Sequence, residues 1–215
     1  MIRDSEVEDF LGTRKRLAQY EGGTLMRHLT SLIVLAVAIA VSSAAVAGGD
    51  DRSAFRFKTF ASGAQEVQPP GGVLTDTSAT LRLAFAEDLS SVRFNLRVFD
   101  GEAITQAHLH CARAGVNGPI VAFLFNVAPV GGPGGIDVDG LLARGRLTND
   151  DIEPVDFAAD PVCGVAINNI ASLFAAVLDG IIYLNVHAEA NPAGEVRGQV
   201  FALSAFDEDR DDFDD

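Results

Sequence analysis

The chain has 215 residues, of which 48% are hydrophobic, and it carries a formal net charge of −14 at pH 7. This length accommodates one domain of ordinary size with extra segments at its ends, and the apolar content excludes wholesale disorder. The charge argues against nucleic acid as a partner, because a polyanion is repelled by a surface of the same sign.

The sequence near the N-terminus contains the three parts of an export signal. Arg27 precedes an unbroken apolar run at 32–41, and small residues follow it up to Ala47. A basic start, about ten apolar residues and an Ala-x-Ala end are typical of a secretory signal peptide, which is predicted here for residues 26–47. Residues 1–25 are polar and of mixed charge, unlike a signal peptide. Either translation begins at Met26, or these residues are a cytoplasmic stub before an uncleaved membrane anchor.

Both readings place the rest of the chain outside the cytoplasm, in a secreted, periplasmic or cell-surface protein. Membrane contact is expected only if the leader stays uncleaved. The chain has two cysteines, Cys111 and Cys163. In an exported chain an even number suggests a disulfide, although two buried thiols are the alternative. Closing a loop of this length stabilises a fold by roughly 4 kcal/mol on the chain-entropy model.

Apolar and polar residues alternate in several segments, which is the pattern of half-buried strands. The apolar spacing between Ile167 and Leu178 is instead helical, and Gly180 lies where a helix would end. These patterns predict an all-β domain, an antiparallel Greek-key or immunoglobulin-like β-sandwich with one short helix. The predicted strands cover residues 55–61, 79–85, 92–98, 120–125, 181–188 and 195–203.

The domain is expected to span residues 55–206, after a polar linker at 48–54. Residues 207–215 contain seven acids and one arginine, and we expect an acidic, disordered tail there.

Two motifs stand out among the predicted strands. The first is A-H-L-H at 107–110 with G-V-N-G-P at 115–119, and the second is N-V-H at 185–187 with N-P-A-G-E-V-R-G-Q at 191–199. With Q-E-V at 65–67, they make the chain resemble the CHRD (chordin-type) domain family. The resemblance implies an extracellular β-sandwich and leaves the chemistry open, because a fold does not determine a function.

Alternate residues of a strand share one face, so the strand with A-H-L-H has two different sides. Ala107, Leu109 and Cys111 are expected to face the core, whereas His108 and His110 point outward. In the last hairpin Leu184, Val186, Val196 and Val200 are expected to face inward. The outward set there is Tyr183, Asn185, His187, Glu195, Arg197 and Gln199.

Once the leader with His28 is removed, the remaining histidines are His108, His110 and His187. A His-x-His strand plus a third histidine is the ligand pattern of a copper or zinc site, faintly similar to Cu/Zn superoxide dismutase. The further histidines and the aspartate of that two-metal site are lacking. The alternative is a polar network without metal, in which Asn185, Glu195, Arg197 and Gln199 support the histidines and Glu195 pairs with Arg197.

Two functions follow from these alternatives. The first is a non-catalytic extracellular module that binds a protein or a matrix component. The second is a copper or zinc protein with ligands His108, His110 and His187, in which Arg197 lies near an anionic substrate. No complete catalytic set is recognisable in the sequence.

Overall fold

The computed structural model describes residues 53–67, 71–129 and 131–203. The predicted prefix, leader and acidic tail lie outside these residues. Within the described part of the chain, no helix is both long enough and apolar enough to cross a membrane.

The described residues form eight β-strands and one α-helix. In chain order they are β1 (Ser53–Ser62), β2 (Ser78–Ala86), β3 (Val92–Cys111), β4 (Ile120–Asn126), β5 (Ile136–Leu147), α1 (Ile170–Leu178), β6 (Ile182–Ala188), β7 (Val196–Gln199) and β8 (Phe201–Ala202).

The alternating pattern predicted the strand pairs at both ends of the domain. In the hairpin of β2 and β3, Leu81 pairs with Leu96 and both are fully buried, while the neighbouring Arg82 pairs with Asn95 on the opposite face. The hairpin of β6 and β7 is confirmed as well, with Asn185 opposite Arg197. The last predicted strand is divided, because Val200 interrupts the ladder between β7 and β8.

The helix begins three residues later than its apolar spacing indicated. Ile167 exchanges backbone hydrogen bonds with Val155 as an isolated bridge. Asn169 then caps the helix, accepting a hydrogen bond from the Ser172 amide, and Gly180 follows the end with a φ of 68°. The helix buries Ile170, Leu173, Ala176 and Val177.

All eight strands belong to one antiparallel sheet. Its order is β2, β1, β7, β6, β3 and β4, and β3 also pairs with β2, which closes a ring of five strands. The strand β5 adds to β3, and β8 adds to β1. The mostly-β, antiparallel architecture with one short helix is therefore confirmed, but the predicted immunoglobulin-like sandwich of two sheets is replaced by a barrel with additional strands.

The reason for the difference is the length of β3, which has 20 residues. Its first half pairs with β2 and β5, and its second half pairs with β6 and β4. Closure of a ring depends on how far one strand continues past its first neighbour, and a local period of two carries no information about that distance. The strand β5 was not predicted; most of its side chains are exposed and only Leu147 is buried, so it lacks the regular apolar face that marked the other strands.

Candidate metal centre

The candidate site lies on adjacent strands β3, β6 and β7, on the sheet face opposite the aliphatic core. Registers between these strands place His108 beside Asn185 and Arg197, and His110 beside Tyr183 and Gln199. His187 lies beside Gln106, one step along the strand pair, and is therefore diagonal to His108. Ala107, Leu109, Leu184 and Val186 alternate with these residues and pack in the core, as predicted.

The side chains lie on the face turned away from the aliphatic core, as predicted, and this face is buried. His108 is 1% exposed, His187 6% and His110 9%, and Asn185, Glu195 and Arg197 are equally buried. The loop between β3 and β4 covers the face. Arg197 holds this loop by donating hydrogen bonds to the backbone carbonyls of Arg113 and Val116. The Phe123 ring on β4 packs edge-on against His108, with 4.6 Å between the ring centroids.

The three histidines converge as predicted. One ring nitrogen from each of His108, His110 and His187 lies within 4.8 Å of those of the other two. Nδ1 of His108 is 3.2 Å from Nε2 of His187. Two ligand nitrogens that are each about 2.0–2.1 Å from one tetrahedral ion lie roughly 3.3 Å apart, so this pair already has the spacing of metal ligands.

Backbone carbonyls fix the ring tautomers of two of the histidines. Nδ1 of His110 donates to the Gly118 carbonyl at 2.9 Å, and Nδ1 of His187 donates to the Pro192 carbonyl at 2.9 Å. A carbonyl oxygen can only accept, so the Nε2 atoms of both neutral rings carry lone pairs. Such carbonyl contacts orient histidine ligands in metal sites.

Two buried nitrogens of the cluster have no hydrogen-bond partner among the described residues. They are Nε2 of His108 and Nε2 of His110. A buried polar atom without a partner costs about 1–3 kcal/mol, and native proteins contain few of them. An ion bound by the cluster would give the lone pair of His110 a partner.

Both carbonyl acceptors depend on glycines of the two sequence motifs. A Cβ atom on Gly118 would collide with the Cys111 carbonyl, so only glycine lets this loop pass so close to the end of β3. Gly194 has a φ of +146°, and a Cβ there would lie 2.5 Å from a carboxylate oxygen of Glu66. These glycines shape the two turns whose carbonyls bind His110 and His187.

The electrostatic environment keeps the histidines neutral. Burial lowers the pKa of His108 to about 3, with further contributions from the neighbouring His187 and His110. Burial also lowers the pKa of His110 to about 4, against an opposing effect of its hydrogen bond to Gly118. The pKa of His187 is lowered for the same main reason. Neutral imidazoles are the form that binds copper and zinc.

Arg197 stabilises this site through contacts with other protein groups and does not face a substrate. Its guanidinium donates to Asn117 Oδ1 and to the carbonyls of Arg113 and Val116, at 2.9–3.1 Å. It also lies 3.5 Å from the centre of the Tyr183 ring, which in turn stacks on His110 at 15° between the ring planes. At 1% exposure Arg197 is inaccessible to an anionic substrate, contrary to the second sequence hypothesis.

The predicted pair of Glu195 with Arg197 is also wrong. Glu195 accepts hydrogen bonds from Thr75 and Asn191. The carboxyl group that acts on Arg197 electrostatically belongs to Glu66, whose pKa burial raises to about 7. Gln199 does support Arg197, at 3.3 Å, and also binds the carbonyls of Ala112 and Gly180.

Sequence reasoning missed Glu66 and Phe123 as parts of the site. Glu66 belongs to the opening motif Q-E-V, but its position beside Gly194 arises from contacts across the fold. Phe123 lay in the predicted strand 120–125, and nothing in the sequence placed its ring on His108. The sequence pattern placed Tyr183 on the correct face but assigned no role to its ring.

The disulfide between Cys111 and Cys163 is formed, with 5.3 Å between the Cα atoms. Cys111 is the last residue of β3, one position after His110. The bond therefore ties the segment before α1 to the strand that carries two of the three histidines.

The architecture and the site together define an antiparallel barrel with a buried three-histidine cluster and one disulfide. The model of the CHRD domain matches residues 57–200 of the chain. Since this match covers well over half of the sequence, the chain belongs to the CHRD domain family. No curated protein and no solved structure is similar enough to be matched with it.

Proposed function

We propose that this protein is an exported CHRD module that binds one copper or zinc ion through His108, His110 and His187. The observation that carries the proposal is the spacing of 3.2 Å between ring nitrogens of His108 and His187, in a cluster with the third histidine. Three imidazoles without a thiolate suit zinc and copper, and the general order of affinities favours Cu(II) over Zn(II).

A hydrogen-bonded network without metal would explain part of this arrangement, because His108 can donate its Nδ1 proton to His187. It does not account for the lone pair of His110, which points to a buried position without a protein partner among the described residues. To hold a cation through the same two nitrogens, His108 would carry its proton on Nε2 instead of Nδ1, which would leave lone pairs on Nδ1 of His108 and Nε2 of His187 as ligands. The buried face supports a binding role rather than turnover of a large substrate.

The experiment has two stages. Elemental analysis of protein purified from its native compartment is expected to find about one equivalent of copper or zinc per chain. After chelation, Cu(II) and Zn(II) are titrated into the wild type and into His110→Ala and His187→Ala. Each substitution is expected to weaken binding at least 100-fold, since each removes one of three ligands.

A matched control separates the cluster from the acids at 207–215, which also attract cations. In this control the seven acids of that segment are replaced by their amides. It is expected to bind the ion with wild-type affinity. Equal affinity of the wild type and His110→Ala would contradict the proposal.

Export is the second part of the proposal. It rests on the leader pattern at 26–47, and the family and the disulfide are compatible with an extracellular protein. N-terminal sequencing of the mature protein is expected to begin near Gly48. Recovery of residues 1–47 in a membrane fraction would support the anchor instead.

A further inference from the structure

The strand β5 forms an edge of the sheet. It has 12 residues, where strands usually have about five or six, and it pairs with β3 on one side. No strand or backbone group among the described residues pairs with its other side. In an antiparallel ladder alternate residues direct their N–H and C=O groups to the same side, so about half of β5 offers these groups to the free edge. Such an edge accepts a further strand.

A bulge in the middle of β5 places all its charged side chains on one face. Ala143 pairs with Leu96 of β3 and Leu141 pairs with the next residue, Arg97, so Leu142 is an extra residue and the alternation of faces shifts there by one. On the other side of the bulge Val138 packs against the core, so its two neighbours face outward. The outer face of β5 therefore carries five exposed residues, which are Asp137, Asp139, Leu141, Arg144 and Arg146.

The two ends of β5 carry opposite charges on this face. Asp137 and Asp139 line a cleft of about 770 Å³, whose further acids are Asp76, Asp100 and Glu102. At the other end Arg146 donates a hydrogen bond to Oγ of Ser91 at 3.2 Å, and the exposed Arg144 lies two residues before it. A guanidinium group binds a carboxylate with paired hydrogen bonds, so Arg144 suits an acidic cleft like the one at the opposite end of the strand.

The order of these charges makes β5 complementary to itself. In a second β5 that runs antiparallel beside the first, with Leu141 of each copy opposite Leu142 of the other, Asp139 of each copy lies opposite Arg144 of the other. Residues opposite one another on antiparallel strands have Cβ atoms about 4.5–5.5 Å apart, which is within reach of an ion pair. A twofold axis repeats this pair, as in any symmetric dimer interface. The bulge is necessary, because without it Asp139 and Arg144 would lie on opposite faces of the sheet.

From the free edge and its self-complementary charges we infer that β5 is an interaction surface for a second copy of this chain, which joins two barrels through one continuous antiparallel sheet. Opposite charges at the paired positions favour this arrangement. Edge strands that avoid association instead carry isolated charges, often Lys, which do not find a partner on a second copy. Pairing also covers part of the apolar side chains of Ile136 and Leu141, which are exposed in the single chain. The inference does not depend on the metal centre.

The test measures the association of the full exported chain by sedimentation equilibrium. The wild type is expected to show a monomer–dimer equilibrium. Asp139→Arg and Arg144→Asp each place like charges opposite one another twice in the dimer, so each is expected to weaken dimerisation at least tenfold. An equimolar mixture of the two variants is expected to dimerise like the wild type, because both pairs in the mixed dimer again join opposite charges. Arg113→Asp, the same charge change at an exposed residue outside β5, is the control and should leave dimerisation unchanged.

Several results would overturn the inference. One is a wild-type chain that stays monomeric up to roughly 1 mM, and another is a dimer that both single charge reversals leave intact. A mixture of the two variants that fails to dimerise would do the same. Hydrogen exchange identifies what covers the edge, because the amides of β5 are expected to become more protected as the protein concentration rises. Protection that is equally strong in a dilute monomer would contradict the inference and assign the edge to a segment of the same chain.

Discussion

The strand β3 carries polar side chains on one face along most of its length, yet its two halves produce different chemistry. Arg93, Asn95 and Arg97 in the first half are half-buried or exposed, on the face where Arg144 and Arg146 of β5 pair beside them. Gln106, His108 and His110 in the second half are buried, and the two histidines are neutral. The same alternation of residues thus gives a solvated charged surface or a desolvated ligand cluster, depending on what covers it.

The largest expected difference concerns the arginines on strands that lie beside the two halves, Arg197 on β7 and Arg144 on β5. Arg197→Ala removes a buried guanidinium that binds three groups of the covering loop, and it leaves their acceptors without a donor. We expect the free energy of unfolding to fall by about 3–5 kcal/mol. The matched substitution of the exposed Arg144 on β5, Arg144→Ala, is expected to cost less than about 0.5 kcal/mol. Urea unfolding of both variants with the disulfide intact measures the difference, and similar losses would contradict the comparison.

Glu66 provides a test with a defined pH dependence. Its pKa in the folded protein, about 7, is above its ordinary value of 4.5, so the unfolded state loses its proton first as the pH rises. The stabilisation by the protonated carboxyl is therefore complete below about pH 4.5 and is lost as the pH rises through 7. Relative to the wild type, Glu66→Gln is expected to gain about 2–3 kcal/mol between pH 5 and pH 8.

The control for this measurement is Glu153→Gln on an exposed side chain, which is expected to change stability by less than about 0.5 kcal/mol at either pH. A Glu66→Gln variant whose stability difference from the wild type is the same at pH 5 and pH 8 would show that Glu66 is ionised in the fold.

The buried histidines are expected to give the free energy of unfolding the opposite dependence on pH. The pKa of His110 in the folded protein is about 4, below the ordinary 6.5, so the unfolded state binds the proton more readily between these values. Stability is fully present above about pH 6.5 and is lost as the pH falls toward 4. From pH 7.5 to pH 5, the metal-free wild type is expected to lose about 2 kcal/mol more than His110→Gln. Parallel stability curves for the two proteins would rule out a buried neutral His110.

The smallest expected effect concerns Phe123, the side chain that covers His108 in the histidine cluster. Phe123 is 41% exposed and packs on His108, so Phe123→Ala is expected to cost about 1 kcal/mol in stability. The same change admits water to His108 and raises its pKa toward the ordinary value, which an NMR titration of the ring protons would follow. Phe157→Ala, at a similarly exposed phenylalanine, is the control and should leave the His108 titration unchanged.

The sequence alone predicted the local structure and the composition of the site. Period-two alternation located β2, β3, β6 and β7, because a strand shows its two faces directly in its residue pattern. The spacing of His108 and His110, together with the motif around His187, identified the three residues that converge. The family and the cysteine pair were also evident from residues alone.

Tertiary structure decided the closure of the barrel, the burial of the polar face and the partners of its charges. The long strand β3 joins neighbours on both halves, and residues 113–117 fold over Arg197. These outcomes depend on contacts between residues more than 50 positions apart, such as Arg197 with Asn117 and Glu66 with Gly194. A local pattern shows which face of a strand is polar. Only the packing of distant segments determines whether that face is solvated, and hence whether its histidines and acids are charged.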